Sequence, residues 1–170
     1  MLDGLFVTPA VTAITDALAA LHAEGAIAVV GNAKLAVALG ASREVIPVGL
    51  SPRAARVTAK KLRGKARELA GLEPASLAAL VGVDLATAAA WEEALRGWAR
   101  VVRDGGAIVI VDRGHPFEAS RRALCGGLTE IEQRRVGRSV ITSGVVSHLV
   151  PPAPAAPPAP APDAAPAQAE

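Results

Sequence analysis

The stretch AIAVVGNAKLAVALG, residues 26–40, decides the fold: five apolar residues, a turn with one glycine, Gly31, and a run that continues at helical spacing. A short apolar run bounded by a turn is a buried strand. Residues 26–30 are therefore read as a strand and 34–39 as a helix that Gly40 ends. Upstream, Val11, Ile14, Leu18 and Leu21 recur at helical spacing within 12–24, with Gly25 as the expected stop. Downstream, 44–48 (EVIPV) is a second short strand before GLSP.

The alternation continues along the chain. Residues 76–84 (SLAALVGVD) form a strand candidate, although a run so rich in Ala and Leu also suits a helix. Over 86–102 the pattern is helical: Trp91, Leu95, Trp98 and Val102 share one face, and Glu92, Glu93, Arg96 and Arg100 the other. RDGG is expected to close that helix and turn the chain into the strand AIVIVD, 107–112. A helix over 117–124, a break at Gly126 and Gly127, and the runs EIEQRRV and SVITSGVV separated by Gly137 complete the pattern, the last two pairing as an antiparallel hairpin. Strand and helix alternating in this order imply an α/β, doubly wound sheet, mostly parallel with an antiparallel C-terminal edge and helices on both faces.

Composition bounds the functional classes. Of 170 residues 51% are hydrophobic and only 2% aromatic, so the core is expected to be small and aliphatic. Residues 151–170 are Pro or Ala at seventeen of twenty positions, a composition expected to form a disordered, partly polyproline-II tail. That organisation gives a helical segment over 1–25, a core domain over 26–150 and the tail. Residues 1–150 carry 18 basic against 14 acidic residues, mildly basic and short of an obligatory nucleic-acid binder. A single cysteine, Cys125, excludes an internal disulfide or a thiolate zinc site and is read as a small buried residue. No basic leader segment and no run of about 20 apolar residues is present, so a cytoplasmic protein without membrane association is expected.

WEEALRGWARVVRDGGAIVIVDRG resembles the segment of class I S-adenosylmethionine-dependent methyltransferases in which a helix feeds the fifth strand through a Gly-Gly turn. GGLTEIEQRRVGRSVITSGVV is similar to that family's closing hairpin, and VIPVGLSP to the end of its second strand. The resemblance implies a Rossmann-like methyltransferase domain over 26–150 and a cofactor site at Gly31, Asn32, Gly49 and Lys65. Each of these positions departs from the family pattern. The family's glycine-rich loop is reduced to Gly31, Asn32, Ala33 and Lys34; the acid that accepts the ribose hydroxyls is replaced by Gly49; the aspartate touching adenine is replaced by Lys65, which has only donors. Three lost polar partners cost roughly 3 to 9 kcal/mol if additive, enough to remove micromolar binding. Only eleven residues separate LSP from GKA, too few for a full helix and third strand, so a trimmed version of the fold is expected.

Asp84 and Asp112 end apolar strands, at the sheet edge where such folds bind ligands; as acid-base or acceptor-orienting groups they compete with the commoner role of capping the next helix. His115, just past Asp112, is the best proton acceptor near neutral pH, set against an ordinary exposed loop histidine. Trp91 and Trp98, seven residues apart, read as core packing before ligand stacking, and the histidines show no metal spacing. Arg53, Arg56, Lys60, Lys61, Arg63, Lys65 and Arg67 make 53–67 a basic, irregular or weakly helical connector, which Arg134, Arg135 and Arg138 would extend if the fold joined them.

The leading expectation is a methyltransferase-like pseudoenzyme that needs no cofactor and works by binding a protein partner or forming a homo-oligomer. An active methyltransferase, using S-adenosylmethionine and Asp84 or His115 toward a small acceptor, is the first alternative. An RNA-associated module using the basic connector is the second.

Overall fold

The computed structural model describes residues 3–62 and 65–148. Six strands form one sheet: β1 (Ile27–Val30), β2 (Val45–Val48), β3 (Leu77–Val83), β4 (Val102–Arg113), β5 (Thr129–Val136) and β6 (Ser139–Val145). Their order is β2-β1-β3-β4-β6-β5. The first four are parallel, and β6 joins β4 antiparallel with β5 outside it, as the hairpin pattern implies.

Strands covered on both faces need apolar residues at every position, and their parity assigns each residue to a layer. Ile27, Val29, Ala79, Val81, Ala107 and Val109 face α1 (Asp3–Ala20) and α2 (Ala33–Leu39). Ala28, Leu80, Ile108 and Ile110 face α4 (Trp91–Val101) and α5 (Pro116–Cys125). Helices on both faces of a mostly parallel sheet are thus present. No helix among the described residues is long and apolar enough to cross a membrane.

The first helix contributes Ala13, Ile14, Ala17 and Leu18 to the core, so the N-terminal segment packs on the sheet. It stops earlier than Gly25. His22 adopts φ +49, its N–H donates to the Ala19 carbonyl, and the N–H of Ala23 donates to the Leu18 carbonyl, the paired bonds of a Schellman cap. Glycine enters that left-handed position without the Cβ penalty, so His22→Gly should raise stability by about 1 kcal/mol. Thermal melts of the two proteins check the sign.

Two other expectations are corrected, and a third, left between an irregular and a weakly helical connector, comes out helical over part of its length. The helix read over 86–102 starts at Trp91; Leu85–Thr87 is a separate 3-10 turn, and Val102 already belongs to β4. RDGG does not precede the strand but lies within it, as a bulge where Gly105 takes φ +72 and the pairing with β3 shifts register. The basic connector contains a regular helix, α3 (Pro52–Ala59), which Ser51 caps through its Oγ and Pro52 starts.

The shortened crossover leaves a trace of a further strand. Beyond β2 the backbone of Arg67 makes one parallel bridge: its N–H donates to the Pro47 carbonyl, and its carbonyl accepts from Gly49 N–H. Residues 149–170, including the Pro/Ala-rich tail expected to be disordered, lie outside the described residues, as does Arg63.

Candidate functional site at the strand ends

In the strand order, β2 lies on one side of β1 and β3 on the other, so the connections leaving β1 and β3 diverge. The crevice at the carboxyl ends of two such strands is where open α/β sheets bind ligands. Gly31 (φ +72) and Asn32 line it from β1, Gly49 (φ +62) continues it at the end of β2, and Asp84 leaves β3 on the far side. Lys65 is exposed, two residues before the Arg67 bridge.

The polar groups of this edge are turned into the protein. Gly31 N–H donates to the Val48 carbonyl at 2.9 Å, and Gly49 N–H to Arg67 at 3.2 Å. The Asn32 side chain accepts from Leu35 N–H at 3.0 Å, capping α2. A glycine at the end of β2 supplies no carboxylate to a ribose. Glu68, exposed and immediately after Arg67, is the carboxylate that the bridge brings to this region, and the sequence reading passed over it.

The second half of the edge is more polar. Asp84 and His115 both adopt left-handed backbone, φ +55 and +53, although neither is glycine. Both are exposed. Strained non-glycine residues of this kind cluster at functional sites. Between them sits Asp112, only 1% exposed: its Oδ1 accepts from Ala86 N–H at 2.8 Å and its Oδ2 has no protein partner. Burial pushes the Asp112 carboxyl above the usual carboxylate range; the Ala86 bond opposes this, nearby Asp84 adds to it, and Arg122 and His115 pull it down. The capping role expected of a strand-end aspartate is therefore filled by Asp112, across the sheet to the turn after β3. Asp84, at the cap position of that turn, makes no side-chain cap.

Arg122, which the sequence reading did not single out, holds this arrangement from α5. Its Nη1 donates to the Leu85 and Ala88 carbonyls at 2.6 and 2.7 Å, and its Nε to Glu118 at 2.6 Å. The guanidiniums of Arg121 and Arg122 lie 5.7 and 5.3 Å from the Trp91 ring centroid. Their hydrogen bonds, Arg121's first, lower the Glu118 carboxyl to about 2. The only sequence signal was the four-residue spacing of Glu118 and Arg122.

Trp98 is buried against the sheet and Trp91 partly so, as their spacing implies. Cys125, expected to be buried, is exposed, because α5 turns Ala119 and Ala123 inward and leaves position 125 on its solvent side. The basic connector and the hairpin arginines stand at opposite edges of the sheet, beyond β2 and on and beside β5, so they form no common patch. Among the described residues no group of three or more His, Cys, Asp or Glu is placed to hold a metal. What the edge offers is an acceptor, an imidazole and a buried carboxyl within one neighbourhood, able to orient a polar group or accept its proton.

No protein-family model matches the sequence, and no curated protein matches it significantly. The fold, in contrast, has solved counterparts. The chain superposes with a TM-score of 0.65 and 14% identity on a chain from the complex of the Haloferax volcanii Trm112 methyltransferase activator with a protein assigned as a methyltransferase, covering 81% of this chain and 89% of that one. A Thermotoga maritima S-adenosylmethionine-dependent methyltransferase gives 0.60 at 15% identity, over 77% of this chain and 89% of that one. The Thermus thermophilus 16S rRNA N2 G1207 methyltransferase, solved with S-adenosylmethionine and guanosine, gives 0.58 at 18% identity, over 76% of this chain and 37% of that one. Strand order, antiparallel closing hairpin and these superpositions agree: the chain has the fold of the class I S-adenosylmethionine-dependent methyltransferases.

Proposed function

We propose that this protein is a methyltransferase-fold module with a degenerate adenosyl site, which acts by binding a protein partner and does not transfer methyl groups. The observation that carries this reading is the inward turn of the β1 and β2 edge. Gly31 N–H, Gly49 N–H and the Asn32 side chain all bond within the protein, and β2 itself ends in a glycine, with Glu68 beyond the Arg67 bridge as the acid brought near. A ligand that takes these N–H groups as donors or the Asn32 oxygen as acceptor would have to break these bonds first, at about 1–3 kcal/mol for each group left unpaired.

Isothermal titration with S-adenosylmethionine and S-adenosylhomocysteine tests it. No saturable heat is expected for either compound. A dissociation constant below about 50 micromolar would overturn the reading, because it corresponds to nearly 6 kcal/mol of binding from a site argued to lack its contacts.

A second reading is favoured by one specific observation, the convergence of strained Asp84, strained His115 and buried Asp112 at the end of β3 and β4. In that reading the chain is an active methyltransferase: S-adenosylmethionine lies along Gly31, Asn32, Gly49 and Lys65, and Asp84 or His115 accepts the proton of a small nucleophile. The same titration decides between the two, since transfer requires the cofactor to bind. The RNA-associated reading has no comparable support, its two basic segments being separated by the width of the sheet.

A further inference from the structure

β5 is the outermost strand of the sheet, and no described element pairs with its free edge. Such edges are ordinarily protected by charge, proline or a covering element. The charges on β5 are ordered. Glu130 and Glu132 occupy its first half, Arg134 and Arg135 its second, and all four are exposed. A strand with acid at one end and base at the other repels nothing when it meets its own copy antiparallel. Glu130, at φ +50, and the register shift between Thr129 and Glu132 leave the stretch from Glu132 onward as the regular part of the strand; with Gln133 opposite Gln133 of the second copy, each Glu132 lies directly across from an Arg134. Glu132 and Arg134 share one face of the sheet and already stand 3.5 Å apart within the chain, so the pairing closes an alternating square of four charges.

The neighbouring helix supplies an apolar layer in the same place. Gln133 donates to the Pro116 carbonyl and to Ser120 Oγ, which sets the start of α5 over the centre of β5. Ser120 thus marks the flank of α5 that faces the sheet edge, while Arg122 reaches Leu85 and Ala88 on the opposite flank. At about 100° per residue, Phe117 and Leu124 lie within roughly 60° of Ser120, on the edge-facing flank. They are 91% and 62% exposed, two of the three large hydrophobic side chains so exposed among the described residues.

From these two observations we propose that the β5 edge and the Phe117–Leu124 flank of α5 form a two-fold interface with a second copy of this chain, giving a twelve-stranded sheet. The spacing is consistent. Gln133 also donates to Thr142 of β6, so α5 sits about over the β5–β6 pair. Its symmetry mate then lies two strand spacings away, roughly 10 Å, the distance at which two helices pack. An isologous contact of this kind needs no further partner. It is independent of whether the adenosyl site is degenerate, and nothing in it involves Gly31, Gly49, Asp84 or His115.

Sedimentation velocity on the full chain tests it, with circular dichroism to confirm folding. The wild type is expected to sediment as a dimer at about 50 micromolar. Glu132→Arg and Arg134→Glu each place like charges opposite one another at two symmetry-related positions, and each should weaken the dimer at least tenfold. The double variant Glu132→Arg/Arg134→Glu restores opposite charges across the axis and should recover the dimer. Phe117→Ser/Leu124→Ser should weaken it as well, with the fold intact because both side chains are already in water. A monomeric wild type, single charge reversals that remain dimeric, or a double variant no better than its parents would each overturn the proposal.

Discussion

Trp98→Ala should destabilise the protein by about 3–5 kcal/mol and lower its melting temperature by roughly 10 °C or more. The side chain is 5% exposed and lies in the layer between α4 and the sheet, beside Leu95, Ile108 and Ile110. Its ring occupies space that exists only because β3 has glycine at position 82. A Cβ built on Gly82 would run into the six-membered ring of Trp98. In a chain with two tryptophans, no tyrosine and two phenylalanines, this indole is the largest piece of the interior, and the small aliphatic residues around it cannot collapse to fill its volume. The complementary substitution, Gly82→Ala, overpacks the same contact and should cost about 1–3 kcal/mol. The two are coupled. In Trp98→Leu the added methyl finds room, so Gly82→Ala should cost less there than in the wild type, a difference that denaturant unfolding of the four proteins measures. Equal costs in both backgrounds would show that the ring does not rest on Gly82.

The second large effect concerns Asp112 and depends on pH. Its carboxyl is buried, with one oxygen bonded to Ala86 N–H and the other unpaired, and its folded-state pKa lies above the ordinary value. A raised acid favours the protonated fold. Its contribution to stability is complete below the ordinary carboxylate range and is lost as pH rises through the raised folded value. Each unit of elevation corresponds to about 1.4 kcal/mol once the group is fully ionised. Asp112→Asn keeps the acceptor for Ala86 and removes the charge. The variant should therefore match the wild type near pH 4, melt at equal or higher temperature near pH 8, and lack the alkaline loss of stability. Asp112→Ala, which strips Ala86 of its partner, should lose about 1–3 kcal/mol near pH 4 and less near pH 8, where the wild type itself carries the buried charge. Melting curves across that range separate the cases; an asparagine variant that loses as much stability between pH 4 and pH 8 as the wild type does would refute the assignment.

The strands and their order of appearance could be read from the chain because buried parallel strands need unbroken apolar runs, and IAVV, LAALVGV and AIVIV supply them. The closing hairpin was equally visible through alternation around Gly137. What was hidden has a common cause: features fixed by tertiary contact or by a rare backbone conformation leave no local pattern. The stop of α1 rests on a histidine where a glycine would be expected, and the bulge in β4 places a turn signal inside a strand. In the site, the sequence marked Gly31, Gly49, Asp84 and His115, and the parallel sheet brings their strand ends to one edge. It could not tell which aspartate would be exposed, because that depends on Asp112 reaching across to the turn that Arg122 secures.

The opposite border of the sheet has its own consequence. The Pro47 carbonyl points outward to Arg67, so the N–H that proline lacks would have pointed outward too, toward any strand adding there. Arg67 itself occupies the adjoining position. Among the described residues, one margin is thus blocked to ladder growth while the other has no strand beside it, and a sheet extended from that side terminates after one addition. Under the pairing proposed above, the stoichiometry is finite and set by the backbone: two chains close, and a fibre has no second face from which to lengthen.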